Sequence, residues 1–208
     1  MKGAWTSQGS APNSPTRSIE DCGQDTLQDW ISGRASLAPS AVALISSFGT
    51  IDYAELDRRA AGLATFLVSL GLNKGDVVAA QLPNCVEFVV TYLAAGYAGA
   101  VFQTVHMPYR AAEIEPLLGH SGAKIFVCLD RAKDFSPATC ALLLCGSLSA
   151  LSHVISLGDD PPAGAIPFGE ALGDVNALTG RKPTSDDLFQ LLYTSGTHIG
   201  PERRADSI

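Results

Sequence analysis

Apolar residues along this chain follow two rhythms. Short β-rich runs at Val42 to Ile45, Val77 to Leu82, Ala100 to Val105 and Ala123 to Leu129 are separated by stretches where apolar positions return every three or four residues. The first rhythm suits buried strands, the second amphipathic helices. Val42 to Ile45, the turn "SFGT" and Ile51 predict a small hairpin. A helix follows, with Asp52 as its N-cap, Glu55 three residues on, and Leu56, Ala60, Leu63, Phe66, Leu67 and Leu70 at helical spacing. Gly71 supplies its stop.

"NKGD" then reads as a polar turn, and the strand from Val77 ends at Pro83 and Asn84 before a helix beginning near Val86. Gly96 and Gly99 sit near that helix's end, where small residues either permit close approach to a sheet or loosen the last turn. "AVFQTV" predicts a strand, "HMPYR" a turn, Ala111 through Gly119 a helix and "AKIFVCL" a further strand. Strands alternating with helical crossovers predict an α/β fold of mostly parallel sheets covered by helices. Further on, Ala138 to Leu151 reads as helix, "HVISL" as strand, "GDDPPAGAIP" as loop, and "DDLFQLLYTSGT" as a capped strand running into a loop.

Composition narrows the partners. The 208 residues carry a net charge of -7, which leaves no electrostatic footprint for nucleic acid. The N-terminal "MKGAWTSQGSAPNSPTR" is rich in Ser, Pro and Gly without an apolar run, so residues 1–25 read as a disordered tail and not as a signal peptide. Apolar segments are interrupted before the roughly 20 residues that a transmembrane helix requires. Five cysteines without paired C-x-x-C spacing argue against a disulfide framework or a zinc site and suit a reducing cytoplasm. Cys140 and Cys145 read as small core residues.

The chemistry concentrates at Thr194, Ser195, Gly196 and Thr197. A strand delivering "TSGT" offers backbone N–H groups and three hydroxyls around a glycine, which is what a phosphate needs: converging donors without side-chain bulk. The same residues also make ordinary turns. The Walker pattern G-x-x-x-x-G-K-[ST] and the dinucleotide pattern G-x-G-x-x-G are both absent.

Read in order, "TIDYAELDRRAAGLATFLVSLGLNKGDVVAAQLPNCVEFVVTYLAAGYAGAVFQTVHMPYRAAEIEPLLGHSGAKIFVC" and then "DLFQLLYTSGT" resemble the N-terminal half of the AMP-forming adenylating enzymes, the acyl-CoA synthetases and their relatives. The resemblance covers residues 26 to 130 and 186 to 197. It implies a partial AMP-binding domain over 26–197 of an ATP-dependent ligase: a carboxylate attacks the α-phosphate of ATP, giving an acyl-adenylate and pyrophosphate, and coenzyme A displaces AMP. ATP, Mg2+ and coenzyme A are the implied cofactors, and a small carboxylic acid, fatty or otherwise apolar, the implied substrate. In the family, [ST]-S-G-[ST]-[TS]-x-x-P-K-G clasps the β and γ phosphates. Thr194, Ser195, Gly196 and Thr197 occupy its first four positions. The family's Mg2+ and coenzyme A sites and its catalytic lysine would lie beyond residue 208, which predicts an inactive chain with an incomplete sheet.

The segment 198–208 departs from that pattern. Pro201 falls at the family's proline, but Glu202 stands at its lysine, where a carboxylate repels a triphosphate. "HIGPERRADSI" can be encoded so that the frame one base on reads "TSDPKGALIP", restoring "YTSGTTSDPKGALIP". A one-base insertion after the Thr197 codon is the expected cause, and residues 198–208 are expected to be an aberrant tail.

Other candidates read as structural. His106 is taken as a loop histidine, Arg110 and Glu113 as a solvated pair, and "LDRRA" at 56–60 as a solvated helix face; His120 and His153 lack metal-ligand spacing. Two alternatives stand beside the acid–CoA ligase fragment: an adenylation domain feeding a carrier protein, and a noncatalytic nucleotide-binding or interaction remnant.

Overall fold

A computed structural model describes residues 25–47, 49–173 and 183–193, together with the backbone of 203–207. The tail expected at 1–25 falls outside these residues, all but its last position, as do Thr194 to Thr197.

The described elements begin with helix α1 (Leu27–Leu37), which the apolar rhythm did not signal. Its side chains are none of them fully buried, but Thr26 and Asp29 close a capping box at its start. Strands β1 (Val42–Ser46) and β2 (Gly49–Asp52) form the expected antiparallel hairpin. Helix α2 (Tyr53–Ser69) opens where Asp52 accepts from the Glu55 amide at 2.8 Å and closes at Gly71, whose φ of +85° a side chain would strain.

Strand β3 (Val77–Gln81), helix α3 (Val86–Tyr97), strand β4 (Val101–Thr104), helix α4 (Ala111–Ser121) and strand β5 (Ala123–Leu129) follow the expected alternation. Helix α5 (Pro137–Leu144) is shorter than the stretch to Leu151 that apolar content suggested. Gly146 and two serines follow it, and the Ser147 and Leu148 amides both turn back to the Leu144 carbonyl. Strand β6 (His153–Leu157) is as expected. At the end of the supposed loop, Ile166–Pro167 adds a short parallel strand, β7, and just beyond it Phe168–Ala171 forms a helical turn, α6. Strands β8 (Leu188–Tyr193) and β9 (Arg203–Ser207) complete the described elements.

The large sheet runs β7-β6-β5-β3-β4-β8-β9, parallel throughout except for the antiparallel β8–β9 pair. Alternate residues of each central strand serve opposite faces. Val78, Ala80, Phe102, Ile125 and Val127 pack with α2 and α3, whereas Val77, Ala79, Val101, Phe126 and Cys128 pack with α4 and α5. Strands buried on both sides explain the unbroken apolar runs in the sequence.

Candidate functional site

Because β3, β4, β5 and β8 are parallel, their C-terminal ends share one edge of the sheet. The chain leaves β3 for β4 on one side, then returns through α4 to β5 on the other side of β3. In open α/β sheets such a reversal leaves a crevice at the carboxyl ends of the strands, where ligands bind.

Gln81 stands at that edge, fully buried at the end of β3. Its Nε2 donates to the carbonyls of His106 at 2.9 Å and Tyr109 at 3.1 Å, fixing the turn after β4. Its Oε1 has no partner among the described residues. Arg110 completes the turn: Nη1 donates to the carbonyls of Met107, Pro108 and Tyr109, and the guanidinium lies 4.7 Å from the Phe135 ring centre. The expected solvated pair with Glu113 is therefore replaced. The Glu113 carboxylate instead accepts from the Arg110 backbone amide at 3.0 Å, capping α4. His106 is exposed, and its ring meets Tyr109 edge-on.

At the end of β5, Asp130 accepts from the amides of Arg131 and Asp160, while its own carbonyl accepts from the Ser136 hydroxyl at 2.6 Å. A side chain on Gly158 would occupy the space of the Asp130 carboxylate, so glycine is required there. Among the described residues, no group of three or more His, Cys, Asp or Glu could hold a metal ion. Cys85, Cys128, Cys140 and Cys145 are free thiols, and burial pushes Cys128 well above its ordinary pKa.

Strand β8 is fixed at both ends and in the middle. Before it, Lys74 Nζ meets Asp187 Oδ2 at 2.5 Å and holds that carboxyl below its ordinary range. A Cβ on Gly99, whose φ is +69°, would lie 3.2 Å from the Lys74 Cγ. In the middle, Phe189 packs edge-on against Tyr92 at 4.7 Å. A Cβ on Gly96 would lie 3.1 Å from the Phe189 ring, so at that glycine the close-approach reading holds. At the far end the Tyr193 hydroxyl lies 3.2 Å from His120 Nδ1 on α4.

Tyr193 thus reaches the carboxyl edge, and the chain continues as Thr194, Ser195, Gly196 and Thr197, which lie outside the described residues. The donor set of those four fits phosphate; the carboxylate of Glu202 does not. Sequence reading passed over Gln81, a polar residue closing an apolar run, and the Lys74–Asp187 pair. The first carries a signal, since a buried amide in a strand must find partners. The second joins residues 113 positions apart and has none.

A family described as AMP-binding enzyme matches residues 32–198. The medium-chain fatty-acid–CoA ligase of Escherichia coli K12 is 31% identical over 183 residues, spanning 86% of this chain and 32% of the ligase. The salicyl-AMP ligase / salicyl-S-ArCP synthetase of Mycobacterium tuberculosis H37Rv is 35% identical over 142 residues, covering 66% of this chain and 25% of that protein. Among solved structures, an anthranilate CoA ligase in complex with anthranoyl-AMP superposes with a TM-score of 0.79 at 19% identity, over 88% of this chain and 35% of that one. The chain spans about a third of the length of the first of these relatives.

Proposed function

From the premise that the chain belongs to the AMP-binding enzyme family, we propose that it derives from an ATP-dependent, AMP-forming acid–CoA ligase. The observation that carries this is the family match over residues 32–198, which runs through "LLYTSGT". Residues 26–197 are then a partial adenylation domain. Thr194, Ser195, Gly196 and Thr197 hold the β and γ phosphates of ATP through hydroxyls and backbone amides, at the end of a strand fixed by Lys74, Tyr92 and His120. Such donors work by preorganisation: they face the place where phosphoryl charge develops, in a site shielded from water.

An apolar acid is the favoured substrate, supported by the likeness to the medium-chain fatty-acid ligase. In the cytoplasm, its free thiols stay reduced. Mg2+ and coenzyme A serve the reaction from outside the described residues. This chain itself has little or no activity, because Glu202 sets a negative charge where the family's loop carries lysine. The polar segment 198–208 results from a one-base insertion after the Thr197 codon.

A second reading, adenylation for a carrier protein, is favoured by the salicyl-S-ArCP synthetase likeness. Sequencing the coding DNA across the Thr197 codon tests the frame. ATP–pyrophosphate exchange by the protein translated in the restored frame, followed by assay for acyl-CoA against acylated carrier, tests the reaction. Exchange driven by no carboxylic acid would refute the ligase reading.

A further inference from the structure

Among the described residues, three buried side-chain oxygens have no hydrogen-bond partner: Gln81 Oε1, Gln103 Oε1 and Ser156 Oγ. Alternation along β3, β4 and β6 puts all three on the face served by Ala79, Val101, Val105 and Val154, which packs with α4 and α5. The two glutamines are neighbours. Gln103 stands opposite Ala79 in the β3–β4 register, and Gln81 lies two residues further along β3, which sets their Cα atoms about 8 Å apart on the diagonal. Ser156 is two strands from Gln81, beyond Cys128, and is not part of this pair.

Neither amide can be turned over to relieve its oxygen. Gln81 Nε2 is committed to the carbonyls of His106 and Tyr109, and Gln103 Nε2 faces the Leu117 carbonyl of α4 at 3.5 Å. Reversal would set oxygen against oxygen. Nor can the two oxygens satisfy each other, since both only accept. The plain interpretation is a pair of unsatisfied acceptors, a state that buried side-chain oxygens rarely show. Both glutamines are fully buried, so bulk solvent does not serve them. A group that does must be small, bring two hydrogens and be neutral, because an unpaired cation in an apolar layer costs far more than a dipole. Ala79 occupies the corner between them. It is opposite Gln103 across the ladder and precedes Gln81 on the same face of β3, and a fully buried methyl is all that it places there.

We infer that Gln81, Gln103 and Ala79 form an internal binding site for one water molecule, which donates one hydrogen to each Oε1. Two polar partners beside a small side chain suit a buried water. The site joins both ends of the β4–α4 crossover: Gln81 holds the turn at His106 and Tyr109, Gln103 reaches Leu117 on α4, and the water couples them. The turn at the carboxyl edge is thereby tied to the helix that follows it. Occupancy depends on neither nucleotide binding nor activity.

The test is the nuclear Overhauser effect between water and the Ala79 methyl in the full 208-residue chain, isotopically labelled at its alanine methyls. Methyl hydrogens do not exchange with solvent, and surface water does not reach this buried residue. A cross-peak of the sign given by a long-held water is expected. Gln103→Leu, which removes the amide and fills its space, should abolish it; if that chain does not fold, Gln103→Met takes its place. No cross-peak at Ala79 in the parent chain, or one that survives loss of the Gln103 amide, overturns the inference.

Discussion

The Tyr97 hydroxyl donates to Asp57 Oδ1 at 2.7 Å, and the Ser32 hydroxyl donates to the same oxygen at 2.8 Å. One carboxylate oxygen on α2 therefore binds both α3 and α1. Tyr97 is 2% exposed, and burial together with the Asp57 carboxylate pushes its phenol far above the ordinary value, so it remains a donor at every working pH. Tyr97→Phe should cost about 1.5–3 kcal/mol and Ser32→Ala about 0.5–1.5 kcal/mol. Because the two share an acceptor, the double variant should depart from additivity in urea denaturation. Additive losses would mean that α1 and α3 are held independently.

Helix α2 approaches the turn after α6 through Gly62, where an added Cβ would lie 2.7 Å from the Gly173 carbonyl oxygen. Backbone cannot yield as a side chain can. Gly62→Ala should lower stability by about 1–3 kcal/mol despite alanine's better helix propensity. A thermal midpoint unchanged or raised by the substitution would refute the contact.

Glu55 is one source of acid sensitivity. Its hydrogen bond to Arg58 comes first; against the opposing effect of burial, and with the Arg59 bond added, it holds the Glu55 carboxyl at about 2 instead of 4.5. A depressed folded pKa gives stability that is fully present above pH 4.5 and lost as pH falls toward 2. Asp187 and Asp76, also held low, contribute in the same sense. Arg58 is 54% exposed, so screening keeps the Glu55 share below about 1 kcal/mol. Glu55→Gln should flatten the decline in stability between pH 4.5 and 2; an unaltered decline would place the sensitivity elsewhere.

Lys74 and Asp187 tie the turn before β3 to the residue preceding β8. Asp187→Asn should change global stability by no more than about 1 kcal/mol. Its clearer effect should be faster hydrogen exchange at the β8 amides, since local opening is governed by local contacts. Equal exchange in parent and variant would show that the contacts of Phe189 and Tyr193 fix the strand without the ion pair.

Local signals carried most of the fold. The strands β3 to β6 announced themselves as apolar runs because both their faces are covered, and α2 was legible from its cap, its spacing and Gly71. Helix α1 was not, because it buries no whole side chain and is held by the partly buried Leu27 and Ile31 against the core and by Ser32 meeting Asp57, a contact 25 residues apart. For the same reason Asp57 read as part of a solvated face, although its neighbours Arg58 and Arg59 do pair with Glu55 as surface charges do. Ile166–Pro167 looked like loop because two residues carry no periodicity; only pairing with β6 makes them strand. At the candidate site the sequence supplied the proposed phosphate-loop residues, Thr194 to Thr197, through resemblance. The supports beneath β8, Lys74, Tyr92, Gly96 and His120, come together only through tertiary packing.

ATP titration of the purified chain beside its Glu202→Lys variant tests the central claim most directly. If Thr194 to Thr197 form a phosphate loop impaired by the carboxylate at residue 202, replacing that charge with a cation should tighten ATP binding tenfold or more, equivalent to at least about 1.4 kcal/mol, and Ser195→Ala should reverse part of the gain. Equal affinity in the two chains, or no binding by either, would contradict it.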